Sequence, residues 1–269
     1  MSELVYNLGR KYYEGGASPS NLDGYVSKSM LWDFSQSPWK WFHGKPKEST
    51  PAMEFGSLVH CLALTPNEYA ENYAVSEYDS FRSKAAQEWR DSMTAQGKVC
   101  ITQAQLNAAN ECAESVLNDP DLQPVLVNGY KTEVAAYSQI GSTKVRGMID
   151  LVPSEGDCLI DLKTTSSFGN AEDLAGLVVR RGYHWQAALY LDLFNAATGQ
   201  NRTNFVLAFV ETSAPYEVAI VKLTDDFIDQ GRAGYMNAIA KYQQCVADNK
   251  FPKAVEGIQE LSFPKWAIK

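Results

Sequence analysis

The chain runs to 269 residues, 45% of them apolar, which suffices for one large or two small domains with a sizeable core and excludes general disorder. No stretch nears the ~18 uninterrupted apolar residues of a membrane span, and the opening MSELVYNLGRKYYEGGASPS has no apolar core of the kind a secretory signal needs, so a cytoplasmic protein with no membrane partner is expected. Lysine plus arginine number 24 against 32 aspartate plus glutamate, a net charge of −8; this argues against a uniformly basic nucleic-acid surface, although local patches govern binding and metal-holding carboxylates also lower the sum.

Residues 1–26 are rich in Gly, Ser, Asn and Tyr without a period, and predict a flexible or docking arm. From Ser27 the pattern turns helical. Ser27 and Ser29 offer N-caps for a segment through Phe34, and Ser37-Pro38 starts another that carries Trp39, Trp41 and Phe42. A helix from about Ala52 to Leu64 ends at Thr65-Pro66. Residues 80–118 predict two polar, alanine-rich helices that cover the core from outside, with Thr102 capping the second. TEVAAYSQI, TKVRGMIDLV and DCLIDLKTT predict strands. Helices at about 169–179 and 183–198 follow, then strands NFVLAFVET and YEVAIVKL, and a last helix from the Thr224 cap to about Asp248. One domain over 27–269, a mixed sheet flanked by helices, accounts for this order. The five cysteines, Cys61, Cys100, Cys112, Cys158 and Cys245, are odd in number and show no C-x-x-C spacing, which excludes a zinc ribbon or a cysteine-held cluster and favours small buried hydrophobes.

The chemistry concentrates in TKVRGMIDLVPSEGDCLIDLKTT. A turn symmetric about Glu155-Gly156 sets Asp150 opposite Asp161, with Cβ atoms ~4.5–5.5 Å apart. Period-two alternation puts Lys163 on the face of Asp161, and Arg146, Met148 and Asp150 on one face. Two carboxylates ~5 Å apart repel by about 3 kcal/mol at an effective dielectric of 20, so the pair calls for a proton, a cation or a function. A hard divalent ion such as Mg²⁺ suits it, and a retained water can become a nucleophile that Lys163 orients or deprotonates, unless Lys163 offsets charge on the transition state. The alternative is a wet-face hairpin with ordinary surface charges. Against it stands the flanking sequence: Met148, Ile149, Leu151, Val152, Leu159, Ile160 and Leu162 make both strands apolar on both faces, where Asp and Lys are costly unless paired or functional.

Taken together, these residues resemble the nuclease core of the PD-(D/E)XK superfamily: Gly147-Met148-Ile149-Asp150, then Ile160-Asp161-Leu162-Lys163. Gly56-Ser57-Leu58-Val59-His60 resembles the G-x-x-x-H motif of its RecB/RecE branch, and Gln186-Ala187-Ala188-Leu189-Tyr190 that branch's Q-x-x-x-Y helix. The opening SKSMLWDFSQSPWKWF and then FGSLVHCLAL look most like the RecE-like exonucleases (exodeoxyribonuclease VIII type) of prophages and phages, over about Ser27 to Phe251. The resemblance implies an α/β, restriction-endonuclease-like core with an N-terminal helical region. It implies a Mg²⁺-dependent exonuclease, Mn²⁺ able to stand in, that degrades one strand of linear duplex DNA 5′ to 3′. It further implies 3′ tails for a single-strand annealing recombinase and a ring-shaped homo-oligomer. The metal ligands it implies fall on His60, Asp150, Asp161 and the backbone carbonyl of Leu162, the lysine on Lys163, and an added strand glutamate on Glu133. Aspartate at 161 departs from the superfamily's glutamate, a variation common in this branch.

Physical readings stand beside that resemblance. His60, four after Gly56 on one helix face, is either a core histidine or a neutral ligand, the glycine letting another backbone come close. Gln186 and Tyr190 share a face and could bond phosphate or hold the lysine, or edge a packed helix. Glu133 could bind a second metal, hold a water, pair with Arg146, or stand as a plain surface glutamate. Lys144, Arg146, Arg180 and Arg181 lie near the expected site, and Lys40, Lys45 and Lys47 interleave with Trp39, Trp41 and Phe42; such basic and aromatic segments can track DNA, although core packing suits at least one of the aromatics. His43 and His184 are structural or DNA-facing. The rival readings are a non-catalytic DNA-binding or assembly module on a nuclease fold, and a structure-specific endonuclease.

Overall fold

The computed structural model describes residues 2–6 and 8–263; Met1 and Asn7 of the expected arm and residues 264–269 of the expected domain lie outside the described residues. A short strand β1 (Glu3–Val5) comes first. Ser27 then caps α1 (Lys28–Gln36), Ser37 caps α2 (Pro38–His43) and Thr50 caps α3 (Pro51–Leu64), each side chain accepting from an amide three residues on. Next come α4 (Tyr69–Asn72), β2 (Tyr73–Ser76), α5 (Lys84–Ala95), β3 (Val99–Thr102), α6 (Gln103–Leu117) and α7 (Gln123–Asn128). Thr102 and Gln105 close α6 with a capping box. The second half holds β4 (Tyr130–Ile140), β5 (Thr143–Pro153), β6 (Cys158–Thr165), α8 (Ala171–Arg181), α9 (Tyr183–Thr198), β7 (Asn204–Glu211), β8 (Val218–Lys222) and α10 (Asp225–Asp248).

The main sheet has the order β1-β4-β5-β6-β7-β8. Its pairs are antiparallel except β6 with β7, and a parallel pair needs a crossover, which α8 and α9 supply. Strands β6 and β7 divide their apolar residues between two cores. Leu159, Phe205, Leu207 and Phe209 face α9 and α10, while Ile160, Leu162, Ala208 and Val210 face α3 and α6. The doubly apolar strands are therefore covered on both sides, each buried Leu or Phe contributing about 2 kcal/mol. This is the expected mixed sheet flanked by helices.

One pair of alternatives resolves, one expectation holds and one needs correction. The opening arm is docked rather than flexible: β1 pairs with β4, Val26 bridges Val145, and Tyr12 is 6% exposed. Its carbonyls find donors on the sheet, which gives the segment fixed partners. Helix α6 covers the second core from outside as expected, burying Ala109, Cys112, Ala113 and Val116 while Gln103, Asn107, Glu111 and Glu114 stay exposed. Finally, β2 and β3 form a separate parallel pair where only helices and connections were expected. Among the described residues no helix is long and apolar enough to cross a membrane.

Candidate active site

The site forms where β5 and β6 part. The two strands pair at Leu151 and Ile160, the register that sets Asp150 opposite Asp161. Beyond that pair the Leu162 amide donates to Asp150 Oδ2 at 2.8 Å, so a side-chain carboxylate takes a donor that strand pairing would otherwise use. The strict alternation also fails here. Ile149 packs in the core under α9, yet Leu151, two residues on, packs in the core under α3. Beside this switch Glu133 on β4 adopts φ +46°, a conformation a glutamate holds only when its surroundings enforce it.

Helices from opposite faces reach the gap. On one side α3 brings His60, whose Nδ1 lies 3.4 Å from Asp150 Oδ2. Gly56, one turn earlier, lets α3 settle on the end of β6: a Cβ there would stand 3.0 Å from Thr164 Oγ1. The close neighbour is thus a side chain, not the backbone expected. On the other side α9 brings Gln186, whose Nε2 donates to Asp161 Oδ1. Lys163 Nζ forms an ion pair with Asp161 Oδ2, which is buried and has no directed hydrogen bond. The Lys163 ammonium also sits 4.9 Å from the centre of the Tyr183 ring.

Charges here are strongly coupled. Burial, then Asp161, pushes the Asp150 carboxyl well above the usual carboxylate range, against Lys163 and the Leu162 amide. Burial, then Asp150 and Glu68, raises Glu133. Burial, then Lys163, lowers His60, which keeps its imidazole neutral and its lone pair available. Burial opposes the charge on Lys163, but Asp161 and Asp150 outweigh it and hold the ammonium above the ordinary lysine value. The two aspartates thus favour the charged, donating form of Lys163.

The structure brings His60, Glu133, Asp150, Asp161, Leu162, Lys163, Gln186 and Tyr190 to one cleft of about 2190 Å³. Gln186 grips Asp161 rather than the lysine. Tyr190 is 9% exposed and packs on Gly147, where a Cβ would come within 2.6 Å of its ring; burial holds its phenol protonated. Arg180 and Arg181 line the cleft and are exposed. Arg146 also lines it but is 6% exposed, and its guanidinium donates to the carbonyls of Tyr12, Tyr13 and Glu14. The expected roles of Arg146, contacting DNA or pairing with Glu133, gain no support: its terminal nitrogens hold the arm, and its buried Nε has no hydrogen-bond partner among the described residues. Lys144, Trp39 and Lys40 do not line the cleft among the described residues. Lys144 lies over Tyr25, and Trp39 packs near His43 and Lys253, which leaves no structural support for their expected role there. Trp41 and Phe42 pack on Phe251, and buried His184 places Nδ1 3.3 Å from the Val178 carbonyl. Sequence reasoning missed Lys28, Tyr13, Glu68 and Tyr183 on the cleft wall; an isolated lysine or tyrosine outside a motif carries no signal of where it points.

Among the described residues no three His, Cys, Asp or Glu side chains stand together as a formed ion cluster; in this arrangement the Lys163 ammonium occupies the Asp161 carboxylate. The donor set nonetheless fits a hard divalent cation. Asp161 is buried and Asp150 nearly so, their carboxylates stand opposite each other on neighbouring strands, and a neutral imidazole adjoins them.

Comparison with known proteins agrees with this geometry. The model of a family described as a PDDEXK-like domain of unknown function (DUF3799) matches residues 27–262. No curated protein matches the chain. Among solved structures, a protein of Eubacterium rectale provisionally described as an exonuclease shares the fold at 15% identity, covering 97% of this chain and 96% of that one with a TM-score of 0.66. A phage-related exonuclease of Haemophilus somnus, 14% identical over 71% of this chain and 95% of that one, superposes with a TM-score of 0.34, too low to carry an argument.

Proposed function

We propose a function from one premise: the chain belongs to the PDDEXK-like family described as DUF3799. It is a metal-dependent exodeoxyribonuclease. The observation that carries this reading is the opposed Asp150–Asp161 pair at the parting of β5 and β6, with Lys163 on one carboxylate and His60 beside the other.

His60, Asp150, Asp161 and the Leu162 carbonyl would hold the divalent ion, Mg²⁺ with Mn²⁺ able to replace it. When bound, such an ion supplies charge for the attacked phosphate and a water of lowered pKa. Gln186 fixes the Asp161 carboxylate by holding Oδ1. Lys163, kept charged by its two aspartates, offsets negative charge that builds on the phosphate oxygens. Glu133, with its raised proton affinity, would hold a water. Exposed Arg180 and Arg181 draw the phosphate backbone to the rim.

The motif resemblance supports a finer reading: 5′ to 3′ degradation of one strand of linear duplex, leaving 3′ tails for an annealing recombinase in the cytoplasm, by a ring-shaped homo-oligomer. Purified protein with Mg²⁺, given 5′- or 3′-labelled linear duplex and covalently closed circles, tests it. The expected result is early release of the 5′ label and intact circles. Equal attack on circles would make it an endonuclease, and DNA binding without cleavage, unchanged in Asp161→Ala, would make it a non-catalytic module.

A further inference from the structure

Lys28 is the first residue of α1 and is 8% exposed. Both facts work against its charge. The N-terminal end of a helix carries partial positive charge, and burial of an ammonium is costly without an anion. No carboxylate lies within ion-pair distance among the described residues. Its Nζ donates to the Arg181 carbonyl at 2.7 Å and lies 5.5 Å and 5.4 Å from the Trp32 and Tyr183 ring centres. Lys28 and Lys163 therefore flank the same tyrosine ring, and both line the cleft. An ammonium has three donors, and one is used by the Arg181 carbonyl.

We infer that Lys28 contacts the DNA backbone directly, its ammonium taking a non-bridging oxygen of a phosphate next to the scissile one. The inference rests on the nuclease reading above. Burial and the nearby Lys163 draw its proton affinity down to about 7, only partly offset by the more distant Asp161 and Asp33, and an arriving phosphate would supply a counter-charge in direct contact. Lys163 holds its own aspartate, so the two lysines divide the work: one serves the reacting group and the other positions the strand.

The test compares wild type, Lys28→Met, Lys28→Arg and Lys28→Gln. The glutamine keeps a donor for the Arg181 carbonyl without the charge, and serves if the methionine variant does not fold. Binding to linear duplex in Ca²⁺ is followed against salt, with single neutral methylphosphonates placed along the strand, and turnover is followed in Mg²⁺. Losing one phosphate contact should lower the slope of log K against log salt by about 0.9. KM should rise about tenfold with kcat less affected, and arginine should restore most of both. One methylphosphonate position should weaken wild type while leaving Lys28→Gln unchanged. An unaltered slope with only a lower melting temperature would overturn the inference and leave Lys28 as a tie between α1 and the end of α8. Wild type that cuts no DNA would instead sink the nuclease reading.

Discussion

Asp161 shows how tightly the site is specified at single residues. Gln186 holds one of its oxygens and Lys163 the other, and the side chain is 1% exposed. A carboxylate so held cannot turn away, which is what a preorganised site requires. Lys163→Ala should lower turnover at least about hundredfold, the scale of losing one preorganised donor, while duplex binding stays largely intact; retained turnover would contradict its role. Much of this was legible in the sequence. Opposed aspartates in doubly apolar strands demanded a partner, and the motif resemblance pointed to His60 and Gln186, although the bond from Gln186 to Asp161 was not foreseen. Lys28 was not legible, because a lysine beside a serine cap reads as an ordinary exposed first-turn residue. Arg146 was misread for a related reason: its charge suggested DNA, but its acceptors are main-chain carbonyls more than 130 positions away, and no side-chain pattern encodes those.

Elements meet the site through two glycines. Gly56 lets α3 approach β6, and Gly147 lets Tyr190 of α9 come close to β5. At Gly147→Ala the new methyl would stand 2.6 Å from the Tyr190 ring, so either the helix lifts or the ring moves. We expect a loss of about 1–3 kcal/mol, the usual cost of overpacking, read from urea unfolding, with weaker activity because Gln186 rides on the same helix. An unchanged unfolding midpoint would contradict this account of how α9 is seated. The main elements were legible from alternation, caps and breakers. The pair β2 and β3 was not, since YAVS and VCIT are too short to show a period between helices. The break in alternation at Glu133 and Asp150 was also hidden, because a glutamate gives no hint of a left-handed backbone.

On the scale of the molecule, two helical layers enclose the sheet and the opening arm closes one side of the cleft, with Leu8, Gly9, Tyr12 and Tyr13 on its wall. Arg146 links that arm to β5. Arg146→Met would leave the carbonyls of Tyr12, Tyr13 and Glu14 without this donor, at about 1–3 kcal/mol for the buried Tyr12 acceptor and less for the two that water can reach. Limited proteolysis should then cut within residues 1–26 faster than in wild type, with the remainder protected; equal rates would show that the arm is held by other contacts. The net charge of −8 proved a poor guide to the cleft, where carboxylates and the cations Lys163, Arg180 and Arg181 lie side by side. The central claim is that Asp150, Asp161 and His60 together grip one divalent cation. Anomalous diffraction from crystals soaked in Mn²⁺ tests it most directly: we predict a manganese peak bounded by these three side chains and lost in Asp150→Asn, whereas a fully soaked crystal with no peak between the two aspartates would contradict it.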